Sequence, residues 1–154
     1  MEIERILPDE IEARSMEIIE AELDEKTKFP PDEKLIVKRV IHTTADFDYA
    51  ANLRFSPDAV AFAISALKKG AAIITDTQMA KAGISKPAAA YCGCELHCFM
   101  SDEDVAASAK KNSTTRAIAS MDKAAELFAR KSVIFAIGNA PTALIRLFEL
   151  ISEK

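Results

Sequence analysis

Three short apolar runs, residues 71–75, 94–100 and 132–137, are each followed by a turn and then by a helix-forming pattern, and this recurrence constrains the fold more than any other feature. A run such as Ala71-Ala72-Ile73-Ile74-Thr75 has no polar face, which is the pattern of a strand covered on both sides. Repeated strand, turn and helix units imply that the strands pair largely in parallel. The sequence therefore predicts an α/β fold, a mostly parallel sheet with helices on both faces, built as a single domain over residues 1–154. With 49% hydrophobic and 29% charged residues the chain has enough apolar material for such a core, and no low-complexity linker interrupts it.

The helical segments are read from apolar spacing. Over residues 8–23, Ile11, Ser15, Ile18, Ile19 and Glu22 share one face, so Ser15 points inward. After Pro30-Pro31, residues 33–41 present Leu35, Ile36, Arg39 and Val40 at helical spacing, and the helix closes at His42-Thr43-Thr44. Ser56-Pro57 opens a helix over residues 57–69 that is apolar almost all round, which predicts burial. Residues 114–129 are amphipathic through Ile118, Met121, Ala125 and Phe128, and the last helix is expected to bury Leu144, Leu147, Phe148 and Ile151.

Several function classes drop out. The four glycines, Gly70, Gly83, Gly93 and Gly138, lie far apart, so neither a dinucleotide-binding loop nor a Walker loop can form. A formal charge of -4 with dispersed lysines and arginines offers no field for nucleic acid. The start of the chain has no basic segment followed by an apolar run, and no apolar stretch is long enough for a bilayer, so a cytoplasmic protein without membrane contact is expected. Cys92, Cys94, His97 and Cys98 invite a zinc reading, but they form a single knuckle. They are taken instead as reduced, packed thiols, and no metal is expected.

In open parallel sheets the ligand sits outside the carboxyl ends of the strands. Thr75-Asp76-Thr77 and Gly138-Asn139-Ala140-Pro141-Thr142 both follow strands, and each opens a helix whose free N–H groups favour an anion. The turn at Ser101-Asp102-Glu103-Asp104 has the same topology, but its carboxylates would repel one. Thr114-Thr115-Arg116 puts two hydroxyls and a planar two-donor guanidinium at a helix start, a good carboxylate binder. His42 stands in the polar stretch His42-Thr43-Thr44-Ala45-Asp46, and imidazole is the side chain suited to proton exchange near neutrality. Each feature also has a plain structural reading as a cap, a turn or a surface residue.

Taken in order, the segments Ile41-His42-Thr43-Thr44-Ala45-Asp46-Phe47-Asp48-Tyr49, Phe55-Ser56-Pro57-Asp58, Asp76-Thr77-Gln78-Met79, Thr115-Arg116 and Gly138-Asn139-Ala140-Pro141-Thr142-Ala143-Leu144 resemble the precorrin-8X methylmutase family. The resemblance runs from about residue 11 to the end of the chain. It implies an isomerase of corrin-ring biosynthesis that moves a methyl group from C-11 to C-12 of precorrin-8X or its cobalt-containing counterpart, with no cofactor. It also implies a homodimer that binds the tetrapyrrole near the subunit interface. The matching histidine is His42, whose implied role is to protonate the ring. On this reading Arg116 clamps a carboxylate together with Thr114 and Thr115, Ser15 and Asp76 line the pocket, and Asn139 and Thr142 contact anionic groups. Family members continue past the last helix with a further strand and with Gly-Phe-Val, Glu-Ser-Lys and Gly-Gly-Ser segments, which this sequence does not contain and which would supply part of the pocket. A tetrapyrrole carrier without turnover is the alternative expectation.

Overall fold

The computed structural model describes residues 6–23, 28–125 and 132–153. The chain divides into two units, Met1–Val60 and Ala61–Lys154.

In the first unit, α1 (Ile11–Glu22) and α2 (Pro31–Thr44) are followed by the single turn α3 (Tyr49–Asn52). Ile19, Val37 and Ile41 form the core, closed by Leu23, Phe29, Phe47, Ala50, Leu53 and Phe55. The inward stripe of α2 is thus Val37 and Ile41, four residues apart, whereas Leu35 and Ile36 are exposed and Arg39 pairs with Glu12 at 2.7 Å. Two apolar stripes run along this helix, and spacing alone does not say which one meets α1. Lys34 and Lys38 both reach Glu20, which also favours the Val37 face as the inner one. Pro31 stands at the first position of α2, where its missing N–H costs nothing, so the helix starts earlier than the sequence suggested. It ends at Ala45, held at φ 55 with its N–H on the Ile41 carbonyl at 2.7 Å.

The second unit takes up the chain within α4 (Ala59–Lys68) and continues through β1 (Ala72–Thr75), α5 (Gln78–Gly83), α6 (Lys86–Tyr91), β2 (Glu95–His97), α7 (Glu103–Lys111), α8 (Arg116–Ala125), β3 (Val133–Ala136) and α9 (Pro141–Ser152). The sheet is parallel, in the order β2-β1-β3, so the α/β class expected from the sequence holds. β1 is central and buried along its length, as its all-apolar run requires. β2 and β3 are shorter than their apolar runs because each can pair only as far as β1 extends, from Ala72 to Thr75. Phe128, expected on the inner face of α8, falls outside the described residues.

Ile74 projects from β1 into a cluster of Ala117, Met121, Ala124, Ala143 and Leu147, which seats α8 and α9 on one face of the sheet. Arg146 of α9 donates to Asp122 of α8 at 2.7 Å and to Glu149 of its own helix at 2.8 Å. Two expectations about burial fail. No residue of α4 is buried, and Phe62 is 69% exposed. In α9 only Ala143 and Leu147 are buried, while Leu144, Phe148 and Ile151 are exposed. Apolar character sets what a helix prefers to meet, but not how many neighbours its own unit supplies.

Helices feed the strands through a shared device. After α4, the Ala71 N–H reaches the Ala66 carbonyl at 3.1 Å and the Gly70 N–H reaches Leu67 at 3.0 Å, a Schellman cap with Gly70 at φ 71. Gly93 repeats it after α6, with Cys94 bonded to Ala89 at 2.8 Å. A Cβ on Gly70 would lie 2.8 Å from the Gly93 carbonyl oxygen, so the two caps touch. Gly70→Ala should therefore lower stability by about 2 kcal/mol, left-handed strain plus contact with a backbone atom that cannot swing away. A urea midpoint equal to that of wild type would show that the loop yields freely.

Candidate functional site

Two groups of side chains carry the candidate chemistry, one in each unit. In the first unit, α1 supplies Ser15 and the last turn of α2 supplies His42, with Ser15 Oγ 2.7 Å from His42 Nδ1. Both are half-buried, and the inward placement expected for Ser15 is what permits the bond. When the hydroxyl donates to Nδ1, the proton of the neutral ring resides on Nε2; when the ring is charged, Nδ1–H donates to Oγ instead. Nε2 has no hydrogen-bond partner among the described residues, so it is free to serve a ligand. Ser15 and His42 line a cavity of about 350 Å³ with Ile11, Ile18, Ile41 and Phe47. This volume is at the small end of ligand pockets. A macrocycle would be enclosed only in part by this unit alone.

Arg14 also lines the cavity and was not singled out from the sequence. The signal was present: Arg14 stands three residues after Ile11 and four before Ile18, on the same stripe as Ser15. Between α1 and α2, Arg39 holds the Glu12 carboxyl below its ordinary range by hydrogen bond and charge, with a smaller contribution from His42.

In the second unit the candidates gather at the carboxyl ends of β1 and β3, the side a parallel sheet offers to ligands. Asp76, directly after β1, is 1% exposed. Its Oδ2 accepts the N–H of Asn139 and of Ala140, each at 2.7 Å, and the Gly138 N–H lies 3.2 Å from both carboxylate oxygens. The helix start expected to attract an anion therefore already holds one, and it is the protein's own. Burial pushes the Asp76 carboxyl up, but the N–H groups of Ala140, Asn139 and Gly138 together pull it further down, and the net shift is downward.

Thr115 caps α8 by accepting the Ile118 N–H at 3.2 Å, and its hydroxyl donates to Thr142 Oγ1 at 3.4 Å. The starts of α8 and α9 are thus joined, which brings Thr115 and Thr142 together. Arg116 is exposed and forms no ion pair with a described residue, Asn139 is exposed, and Thr114 is half-buried. Asp102 is the N-cap of α7, with Glu103 and Asp104 in its first turn, and Asp102 and Asp104 also bind Lys123 of α8 at 2.7 and 2.8 Å. The cysteines pack: Cys98 is buried, Cys94 donates to the Leu67 carbonyl, and His97 pairs with Glu95 and stacks on Phe99.

The downward shift of Asp76 fixes the sign of an acid effect. A carboxyl held below its unfolded value adds stability above about pH 4, and this is lost as pH falls through the folded value. Urea unfolding of wild type should therefore weaken below about pH 4 more steeply than that of Asp76→Asn, which cannot ionise. Superimposable acid limbs would mean that Asp76 is not an ionised internal anion.

The second unit is thus a parallel α/β sheet with polar side chains at its strand ends, and the first holds a histidine hydrogen-bonded to serine on a cavity. The chain belongs to the precorrin-8X methylmutase family, whose sequence pattern matches residues 10–154. It is 42% identical over 144 residues to the cobalt-precorrin-8 methylmutase of Leptospira interrogans, covering 94% of this chain and 65% of that one. The cobalt-precorrin-8 methylmutase of Priestia megaterium is 42% identical over 148 residues, covering 96% and 64%. A crystal structure of precorrin-8X methylmutase from Thermus thermophilus superposes with a TM-score of 0.86 at 36% identity, over 94% of this chain and 69% of the other. The chain thus spans about 65% of the length of the first of these relatives.

Proposed function

We propose that the protein catalyses the methyl shift of its family, moving a methyl group from C-11 to C-12 of precorrin-8X or cobalt-precorrin-8. The observation that carries this reading is the Ser15–His42 pair at 2.7 Å on an apolar cavity. A 1,5-shift breaks one C–CH3 bond and forms another within the same molecule, so it needs no nucleophile and no redox partner. It needs the ring held in one tautomer and a donor for the proton that the rearranged conjugated system takes up, with a matching proton lost elsewhere on the ring. Positioned acid catalysis of this kind contributes about 10²- to 10⁴-fold. His42 Nε2 is the proposed donor: in the charged ring Nδ1–H donates to Ser15 Oγ, which fixes the ring and leaves the Nε2 proton for the ligand, and a neutral imidazole remains once it is given up. The apolar lining from Ile11, Ile18 and Phe47 suits the face of a macrocycle.

The substrate's carboxylates require separate contacts on a chain of net charge -4. Arg116, which has no described ion-pair partner, is the proposed clamp, with Thr114, Thr115, Asn139 and Thr142 as further donors. Mixing the protein with precorrin-8X, and separately with its cobalt form, and following the absorption spectrum tests the reading. Conversion to the corrin chromophore supports it. Binding without conversion points to a carrier, and absence of binding removes the tetrapyrrole altogether.

The same reading carries a cytoplasmic homodimer. The apolar residues Leu144, Ile145, Phe148 and Ile151 exposed along α9 support an assembly, and no described helix is long and apolar enough to cross a membrane. Light scattering should give about twice 16.8 kDa, and a monomer mass at micromolar concentration would refute the dimer.

A further inference from the structure

The start of α9 lacks the residue types that normally close a helix. Its N-cap is Ala140, which has no side-chain oxygen, and Pro141 follows it. The oxygen comes from across the sheet. β1 and β3 pair in register up to Thr75 and Ala136, and the Asp76 N–H makes a last, long bond to the Ala136 carbonyl at 3.4 Å. Beyond that point the backbone ladder stops, and the Asp76 carboxylate takes over as acceptor for Gly138, Asn139 and Ala140. Asp76 is itself fixed from both sides. Thr75 Oγ1 donates to the Thr77 carbonyl at 2.9 Å, and Thr77 caps α5 by accepting the Ala80 N–H at 3.1 Å.

A carboxylate already seated on these N–H groups repels a second one at contact distance, and the repulsion is stronger in a buried setting than in water. A ligand carboxylate therefore cannot use the backbone of this turn and is left with its side chains. We propose that Asp76 is a positioning residue, the internal anion that closes the N–H pocket of α9 and holds the 138–142 turn so that Asn139 and Thr142 meet the carboxylates of the ligand. This deepens the reading above and rests on it for the identity of the ligand. It also assigns Asp76 a different task from lining the pocket, since 1% exposure leaves it no surface for a substrate.

Two measurements test the proposal. In the first, the amide resonances of Asn139 and Ala140 are followed as sodium formate is added. Wild type should show no saturable shift, because Asp76 fills the pocket, whereas Asp76→Ala should shift both amides saturably as formate takes the vacated place. Saturable shifts in wild type, or none in folded Asp76→Ala, overturn the proposal. If Asp76→Ala does not fold, Asp76→Asn replaces it: loss of one acceptor oxygen should speed hydrogen exchange at Asn139 or Ala140 by about tenfold or more, and unchanged exchange overturns the proposal.

In the second measurement, kinetics with the tetrapyrrole should show KM raised about tenfold in Asp76→Asn with a smaller fall in kcat, since binding contacts are misplaced but His42 is not. A purely structural defect would lower the active fraction and leave KM alone. An unchanged KM overturns the positioning role. Wild type that neither binds nor converts the tetrapyrrole defeats the methylmutase reading, and the formate measurement then decides on its own whether Asp76 closes the pocket.

Discussion

His42→Ala should lower kcat for the proposed methyl shift by about 10² to 10⁴, while the affinity for the tetrapyrrole should stay within about tenfold. The two numbers separate because the side chain is asked to do different things in the two states. In the ground state His42 contributes one edge of an imidazole to a cavity that Ile11, Arg14, Ser15, Ile18, Ile41 and Phe47 also line, so its removal sacrifices little contact. In the transition state of the proposed reaction it would supply the proton, and water admitted into the vacated space is a poor, unpositioned substitute. His42→Gln is the informative control, since a carboxamide can still bond to Ser15 but cannot deliver a proton, and it should be as slow as the alanine variant. Ser15→Ala should be milder, because the ring remains but its tautomer and orientation are no longer fixed at 2.7 Å. Undiminished turnover in His42→Ala would remove the residue from the mechanism.

The parts of this site differed in how readable they were, and the reasons are physical. Ser15 was legible because a polar residue on an otherwise apolar helical stripe must meet something, and it meets His42. Asp76 was legible as a residue at a strand end but not as the cap of α9. Its partners are backbone N–H groups 62 to 64 residues downstream, and a backbone donor leaves no trace in residue type. α6 was passed over although its signal was written in the chain, Ser85 as cap and Pro87 in the first turn. The runs leading to β2 and β3 were correctly read as strands but overextended, since strand length is decided by the partner. The outward apolar faces of α4 and α9 show the opposite limit: amphipathicity was plain, but what covers a face is a property of the surroundings.

The central strand of the second unit was legible along its whole length, and it supports the sharpest stability prediction. Ile74→Ala should cost about 4 kcal/mol, the upper part of the range for truncating a buried isoleucine. Where in that range a site falls depends on how far its neighbours can collapse into the space. Ile74 is fully buried on the central strand, and three of its buried neighbours, Ala117, Ala124 and Ala143, are alanines fixed on helix backbones. A methyl group has no rotamer with which to reach inward, so of the buried members Met121 and Leu147 alone can move to fill the gap, and partly buried side chains such as Phe135 and Leu150 pack against the cluster. The cavity therefore persists, and α8 and α9 lose the contact that seats them on the sheet. At this chain length the loss corresponds to about 10 °C in Tm. Because Thr115 caps α8 and Thr142 stands in α9, the variant should, on the proposed function, raise KM for the tetrapyrrole more than it lowers kcat. A Tm within about 2 °C of wild type would mean that the helices are held by something other than this cluster, and the account of how the sheet positions the donor side chains would have to be rebuilt.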